Sequence, residues 1–182
     1  MNLLIAGLLL NMGCNNRVTY EEALNENQDR FEDARQLEDA KFLVESKSRN
    51  LLAIKVLSLA SDSGYSSVVV RFAKQSLPEH QQLDEELEEL SKKKEIELPD
   101  ELSAQHQMLL SELTSSARSN FDNTFSKIIG NINDQNYAMF TGNATEASDE
   151  DIRAFAARKL DLLRNHSRLL STMQDQLLNT SE

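Results

Sequence analysis

The sequence predicts an all-α protein: four long helices bundled together, with a short extra helix in one connection. Three observations carry this. Two prolines, five glycines and no tryptophan in 182 residues leave too few turn residues for an all-β fold, which needs them at short intervals. Four stretches each carry an apolar stripe at helical spacing. The connection between the second and third stretch, about 25 residues including the short helix, is long enough to cross a bundle whose helices are roughly 38 Å long. Neighbours paired up and down with one long crossover make the ferritin-like four-helix arrangement.

Residues 1–14, MNLLIAGLLLNMGC, hold no charge. The apolar run Leu3 to Leu10 is too short to span a bilayer but has the length of a signal-peptide core. Gly13 and the sole cysteine, Cys14, follow it. The arrangement resembles a bacterial lipoprotein signal, although Asn11 replaces a usual aliphatic residue and no basic residue precedes the run. The resemblance implies lipid on Cys14, a membrane anchor through that lipid, and a place in the bacterial envelope, periplasm or outer membrane. An ordinary signal peptide or a disordered start is the alternative. Residues 15–37 are polar and acidic and read as a poorly packed tether, with room for a short helix in the second part.

The helical domain is expected over 38–178. The first helix, Glu38 to Ser61, places Ala40, Leu43, Leu51, Ile54 and Leu57 on one face, interrupted by the polar run Ser46–Asn50. Gly64 supplies a stop, since glycine accepts the left-handed cap conformation. Ser66 caps the next helix, which runs to Glu95. Its seam is Val69, Ala73, Ser76, His80, Leu83, Leu87 and Leu90, and the rhythm continues past Pro78, which predicts a kink rather than a break. ELPDE, residues 97–101, breaks the pattern. The short helix, Glu101 to Ser115, lines up Leu102, His106, Leu109 and Leu113. The third long helix, Asn120 to Thr141, carries Phe121, Phe125, Ile128, Ile132 and Met139, with Asn133 and Asn136 at the edge of the stripe; GNATEA, residues 142–147, reads as a loop. Ser148 is expected to cap the last helix. Its stripe runs from Ile152 through Leu163, His166 and Leu170 to Leu177, and residues 179–182 are expected to fray.

Charge and motifs exclude several functions. Thirty acidic against nineteen basic residues give a net charge of −11, and no basic patch with interleaved aromatics points to nucleic acid. The chain has no phosphate-binding glycine loop, and Cys14 lies far in sequence from every histidine. No Glu-x-x-His occurs, so a di-iron site of the ferritin type lacks its ligands. Glu79 is the acid nearest His80 in sequence and falls on a different helix face; no carboxylate stands three or four residues before His166.

Five segments together resemble the domain of unknown function 4142 family: 40–60 (AKFLVESKSRNLLAIKVLSLA), 69–99 (VVRFAKQSLPEHQQLDEELEELSKKKEIELP), 104–113 (AQHQMLLSEL), 120–129 (NFDNTFSKII) and 151–169 (DIRAFAARKLDLLRNHSRL). The resemblance implies a ferritin-like bundle with a secretory or lipoprotein leader, and no established activity. It also implies a histidine on each of three long helices and two glutamates on the first. His80, His166 and the short helix's His106 match; Asn133 stands in the third long-helix position, and Ala53 and Lys55 in the glutamate positions. The chain is expected to be a non-enzymatic binding or structural module without a cofactor, its protein partner unspecified. Here His80, His166 and Asn133 form a core polar cluster, and His106 is packed or at the surface. The alternative is a metal-binding or redox-linked protein holding a single transition metal at His80 and His166, with Asn133 a poor third ligand. A further reading has the acidic Asp84–Glu97 face docking a basic protein.

Overall fold

The computed structural model describes residues 17–179. The leader with Cys14, and residues 180–182, lie outside the described residues. The chain forms α1 (Tyr20–Arg30), α2 (Ala34–Ser63), α3 (Ser67–Lys94), α4 (Ala104–Ser115), a 3-10 turn (Arg118–Asn120), α5 (Phe121–Glu146) and α6 (Glu150–Asn179), with no strand among the described residues.

The long helices α2, α3, α6 and α5 pack side by side in that cyclic order. Cross-helix pairs give their sense. Lys93–Asp151, Glu86–Lys159 and Glu79–His166 run in opposite numerical directions along α3 and α6. Ser126–Gln174, Asn133–Ser167 and Tyr137–Arg164 do the same along α5 and α6. Lys47–Asp84 and Asn50–His80 make α2 and α3 antiparallel. It follows that α3 and α5 are parallel, so the 95–120 connection returns along the length of the helices.

The apolar seams bury two separate clusters. One joins Leu52, Val56, Leu57, Val69, Phe72, Phe125, Ile128, Ile132, Leu170 and Met173. The other joins Ala40, Leu43, Leu83, Leu87, Phe140, Ile152, Phe155 and Leu163. Fully burying a side chain of this size contributes about 1.5–3 kcal/mol, so these faces dominate the packing. Between the clusters every long helix turns polar side chains inward.

Several sequence expectations are corrected. The described part of the 15–37 stretch, residues 17–37, is not a loose tether, because α1 is capped and docked. Thr19 and Glu22 form a reciprocal capping box. The buried Asn27 carboxamide donates to the Glu97 carbonyl and accepts from its amide, at 2.8 and 2.9 Å, as a neighbouring strand would. Helix α2 starts at Ala34 rather than Glu38, because Asp33 caps it by accepting from the Arg35 amide. Gly64 is not left-handed (φ −56°, ψ 137°); it is needed for space, since a Cβ there would sit 2.6 Å from the Ala60 carbonyl oxygen. The left-handed cap belongs to Glu95, φ 56°, at the end of α3. As the rhythm of its seam predicts, helix α3 is not broken at Pro78. GNATEA is helical to Glu146, with the Asn143 and Thr145 side chains bonded back to the preceding turn. Asp149, not Ser148, caps α6, accepting from the Asp151 and Ile152 amides. Ser148 instead donates its hydroxyl to buried Asp39, whose carboxylate also accepts from the Ser148 and Asp149 amides.

Candidate functional site

The polar belt begins on α2. The run Ser46–Asn50, which interrupts the stripe in sequence, has four of its five residues buried: Ser46, Lys47, Ser48 and Asn50. Each meets a different demand. Ser46 donates to the Phe42 carbonyl within its own helix. Lys47 faces α3 and pairs with Asp84 at 2.8 Å and Glu88 at 2.9 Å. Ser48 faces α4 and meets His106 Nδ1 at 2.7 Å. Asn50 points toward α3: its Nδ2 donates to the His80 carbonyl at 2.9 Å and to Asp84 at 3.2 Å, and its Oδ1 meets His80 Nδ1 at 2.7 Å. A carbonyl can only accept, so the Asn50 NH2 must face it; Oδ1 then faces the ring and places the His80 proton on Nδ1.

His80 and His166 stack, with ring centroids 5.0 Å apart and planes 25° from parallel. His166 Nε2 also meets Glu79 Oε2 at 2.5 Å. Burial first, and the neighbouring His166 second, push His80 down from 6.5 to about 3, so it is neutral. On α5, Asn133 donates to Ser167 at 2.7 Å. Three buried atoms in this region have no protein partner: Ser76 Oγ, Asn133 Oδ1 and Asn136 Oδ1. Buried polar atoms of this kind are ordinarily satisfied by internal water.

The expected cluster of His80, His166 and Asn133 is part of a wider polar layer spanning all four long helices, which also takes in Lys47, Asn50, Glu79 and Asp84. Asn50 carried a readable signal: it stands seven residues from both Leu43 and Leu57, on their seam. Glu79, which the helical spacing puts on a different face from His80, has as its partner His166, 87 residues distant. His106 is separate from the belt rings, buried and held by Ser48 beneath α4, and burial lowers its pKa. Ser48, His106 and nearby Glu45 have the residue types of a hydrolytic triad, but Ser48 is wholly buried and its hydroxyl accepts from the Ser103 amide. Glu45 is itself engaged by Tyr20 and Arg49, whose hydrogen bonds outweigh the upward push of burial and lower its pKa.

A metal fits this layer poorly. His166 Nε2 is engaged by Glu79 at 2.5 Å. His80 Nδ1 is committed to Asn50. Among the described residues no three His, Cys, Asp or Glu side chains converge. The two positions where the resemblance implies glutamates offer no substitute: Ala53 is in the apolar core and Lys55 is exposed. Also among the described residues, no helix is long and apolar enough to cross a membrane.

No curated protein and no solved structure matches the chain. A family model described as a domain of unknown function (DUF4142) matches residues 25–173, which takes in the belt, α2, α3, α5 and α6 as far as Met173. On that match the chain belongs to the DUF4142 family.

Proposed function

We propose that this chain is a bacterial envelope lipoprotein: a ferritin-like four-helix bundle, held at a membrane by lipid on Cys14, acting as a non-enzymatic binding or structural module. Antiparallel neighbours and the long 95–120 return support the ferritin-like arrangement. The Leu3–Leu10 run followed by Gly13 and Cys14 supports the anchor. Acyl chains would contribute about 0.8 kcal/mol per buried methylene.

The observation that carries the non-enzymatic reading is the inward pairing of the belt. Asn50, His80, His166, Lys47 and Asp84 spend their hydrogen bonds on one another or on Glu79 and Glu88. A belt built this way fixes the register of four helices, since a shift of one turn would leave each group buried without its partner. Metabolic labelling with a fatty-acid analogue tests the anchor: the wild-type chain takes up label and the Cys14→Ser variant does not. An unlabelled wild type overturns it. Elemental analysis of chain purified without chelator tests the belt reading; stoichiometric metal lost in His80→Ala/His166→Ala would overturn it.

A further inference from the structure

The chain is pinned close to Cys14, and at mid-height of the helices. Val18 is clamped in both directions: its amide donates to Asp100 Oδ2 at 3.1 Å and its carbonyl accepts from the Asp100 amide at 2.8 Å. Tyr20, two residues on, reaches Glu45 with its hydroxyl at 2.7 Å. Ser103, three residues after Asp100, meets Ser48. Val18 therefore lies beside the Glu45–Ser48 level of α2. That level is roughly 17–21 Å from the Ala34 end of the helix and roughly 22–27 Å from the Ser63 end, at the α-helical rise. The four residues from Cys14 to Val18 reach at most about 14 Å even fully extended.

From this mismatch we infer that the protein lies on its side on the membrane, its α2 flank toward the lipid; the inference rests on the Cys14 anchor proposed above. Standing on either end would hold Val18 farther from the headgroups than the chain can span. The flank has two halves, since α1 and α4 both pack on α2, α1 toward the Ala34 end and α4 toward the Ser63 end. The exposed side of α1 is acidic, with Glu21, Glu22, Glu26 and Asp29, and anionic headgroups repel it. The stretch Leu102–Ser111 holds no acid, lysine or arginine and projects Met108, 74% exposed. The α4 half is thus the face that settles against the headgroups, with the leash, rather than attraction, setting the orientation.

The test uses the full-length lipidated chain in vesicles whose headgroups carry a collisional quencher. A single fluorophore is placed by Met108→Cys on α4, by Tyr65→Cys at one end, or by Asp161→Cys on α6, the helix diagonal to α2. Quenching is expected to be several-fold stronger at 108 than at 65 or 161. Equal quenching at the three positions, or stronger quenching at 65 or 161, overturns the orientation while leaving the anchor intact. A twenty-residue Gly/Ser insert between Asn16 and Arg17, with a typical reach of roughly 25 Å, should erase the difference; a difference that survives it overturns the leash argument. Chain recovered in the aqueous fraction, unquenched at every position, marks failure of the anchor itself.

Discussion

The ring of His80 lies against that of His166, 5.0 Å between centroids, and each ring is held by a different group: Asn50 for His80, Glu79 for His166. The pair is thus fixed from both ends, which gives the middle of the protein a defined polar contact where hydrophobic packing alone would leave several registers near in energy.

Stability should fall on mild acidification. The folded-state pKa of His80 is depressed to about 3 from 6.5, so the unfolded chain takes up the proton first. Its contribution is complete above about pH 6.5 and is lost as pH falls toward 3, at no more than about 1.4 kcal/mol per pH unit for one proton. Burial lowers His106 as well and adds in the same direction. Below pH 4.5, Glu45 and Glu88, whose pKa values are also lowered, contribute a second loss. Urea midpoints measured between pH 7 and pH 5 should decline for the wild type and decline less steeply for His80→Gln. Parallel slopes for the two proteins would refute the assignment.

Asn50→Ala should destabilise the fold by about 1–3 kcal/mol, because it leaves the buried His80 Nδ1–H without an acceptor. A double-mutant cycle with His80→Ala should show strong coupling. Additive losses would mean that the two side chains act independently.

Lys47 and Lys92 both contact Glu88, and they should behave differently. The Lys47 side chain is 5% exposed and pairs with two carboxylates, whereas Lys92 is 77% exposed and 3.8 Å away. Replacing Lys47 by Met should cost about 1–3 kcal/mol, less than a fully buried pair because Asp84 and Glu88 keep some water. The same change at Lys92 should cost at most a few tenths. Chemical denaturation of the two variants settles the comparison.

Two glycines should respond with opposite signs. Gly64→Ala forces a Cβ to within 2.6 Å of the Ala60 carbonyl oxygen, 3.0 Å of Val70 and 3.2 Å of Val69, and should cost about 1–3 kcal/mol. Gly142→Ala meets nothing within 4 Å inside α5 and should stabilise by about 0.5–1 kcal/mol. Thermal unfolding of both variants would show the reversal, and a destabilised Gly142→Ala would refute the helical reading of 142–146.

The division between what the chain shows and what the fold decides follows the range of the interactions. Helix α3 was readable because Val69, Ala73, Ser76, His80, Leu83, Leu87 and Leu90 repeat with the pitch of one helix, and five of those residues feed the two apolar clusters. His80 and His166 were readable as seam residues for the same reason: periodicity along one element states which way a side chain faces. It does not state what the side chain meets. The polar run Ser46–Asn50 looked like a gap in a stripe, yet its partners on α3 and α4 lie 30 to 58 residues away. The acidic, tether-like 20–30 segment became a docked helix because Asn27 found the Glu97 backbone 70 residues on. By itself the sequence determined the helical class, the order of the elements and the inward histidines, since these depend on spacing within a few turns. Only the tertiary structure decided that the histidines stack within a polar belt, and that the chain is clamped at Val18 beside the middle of α2. Both depend on distances between helices, which no local pattern contains.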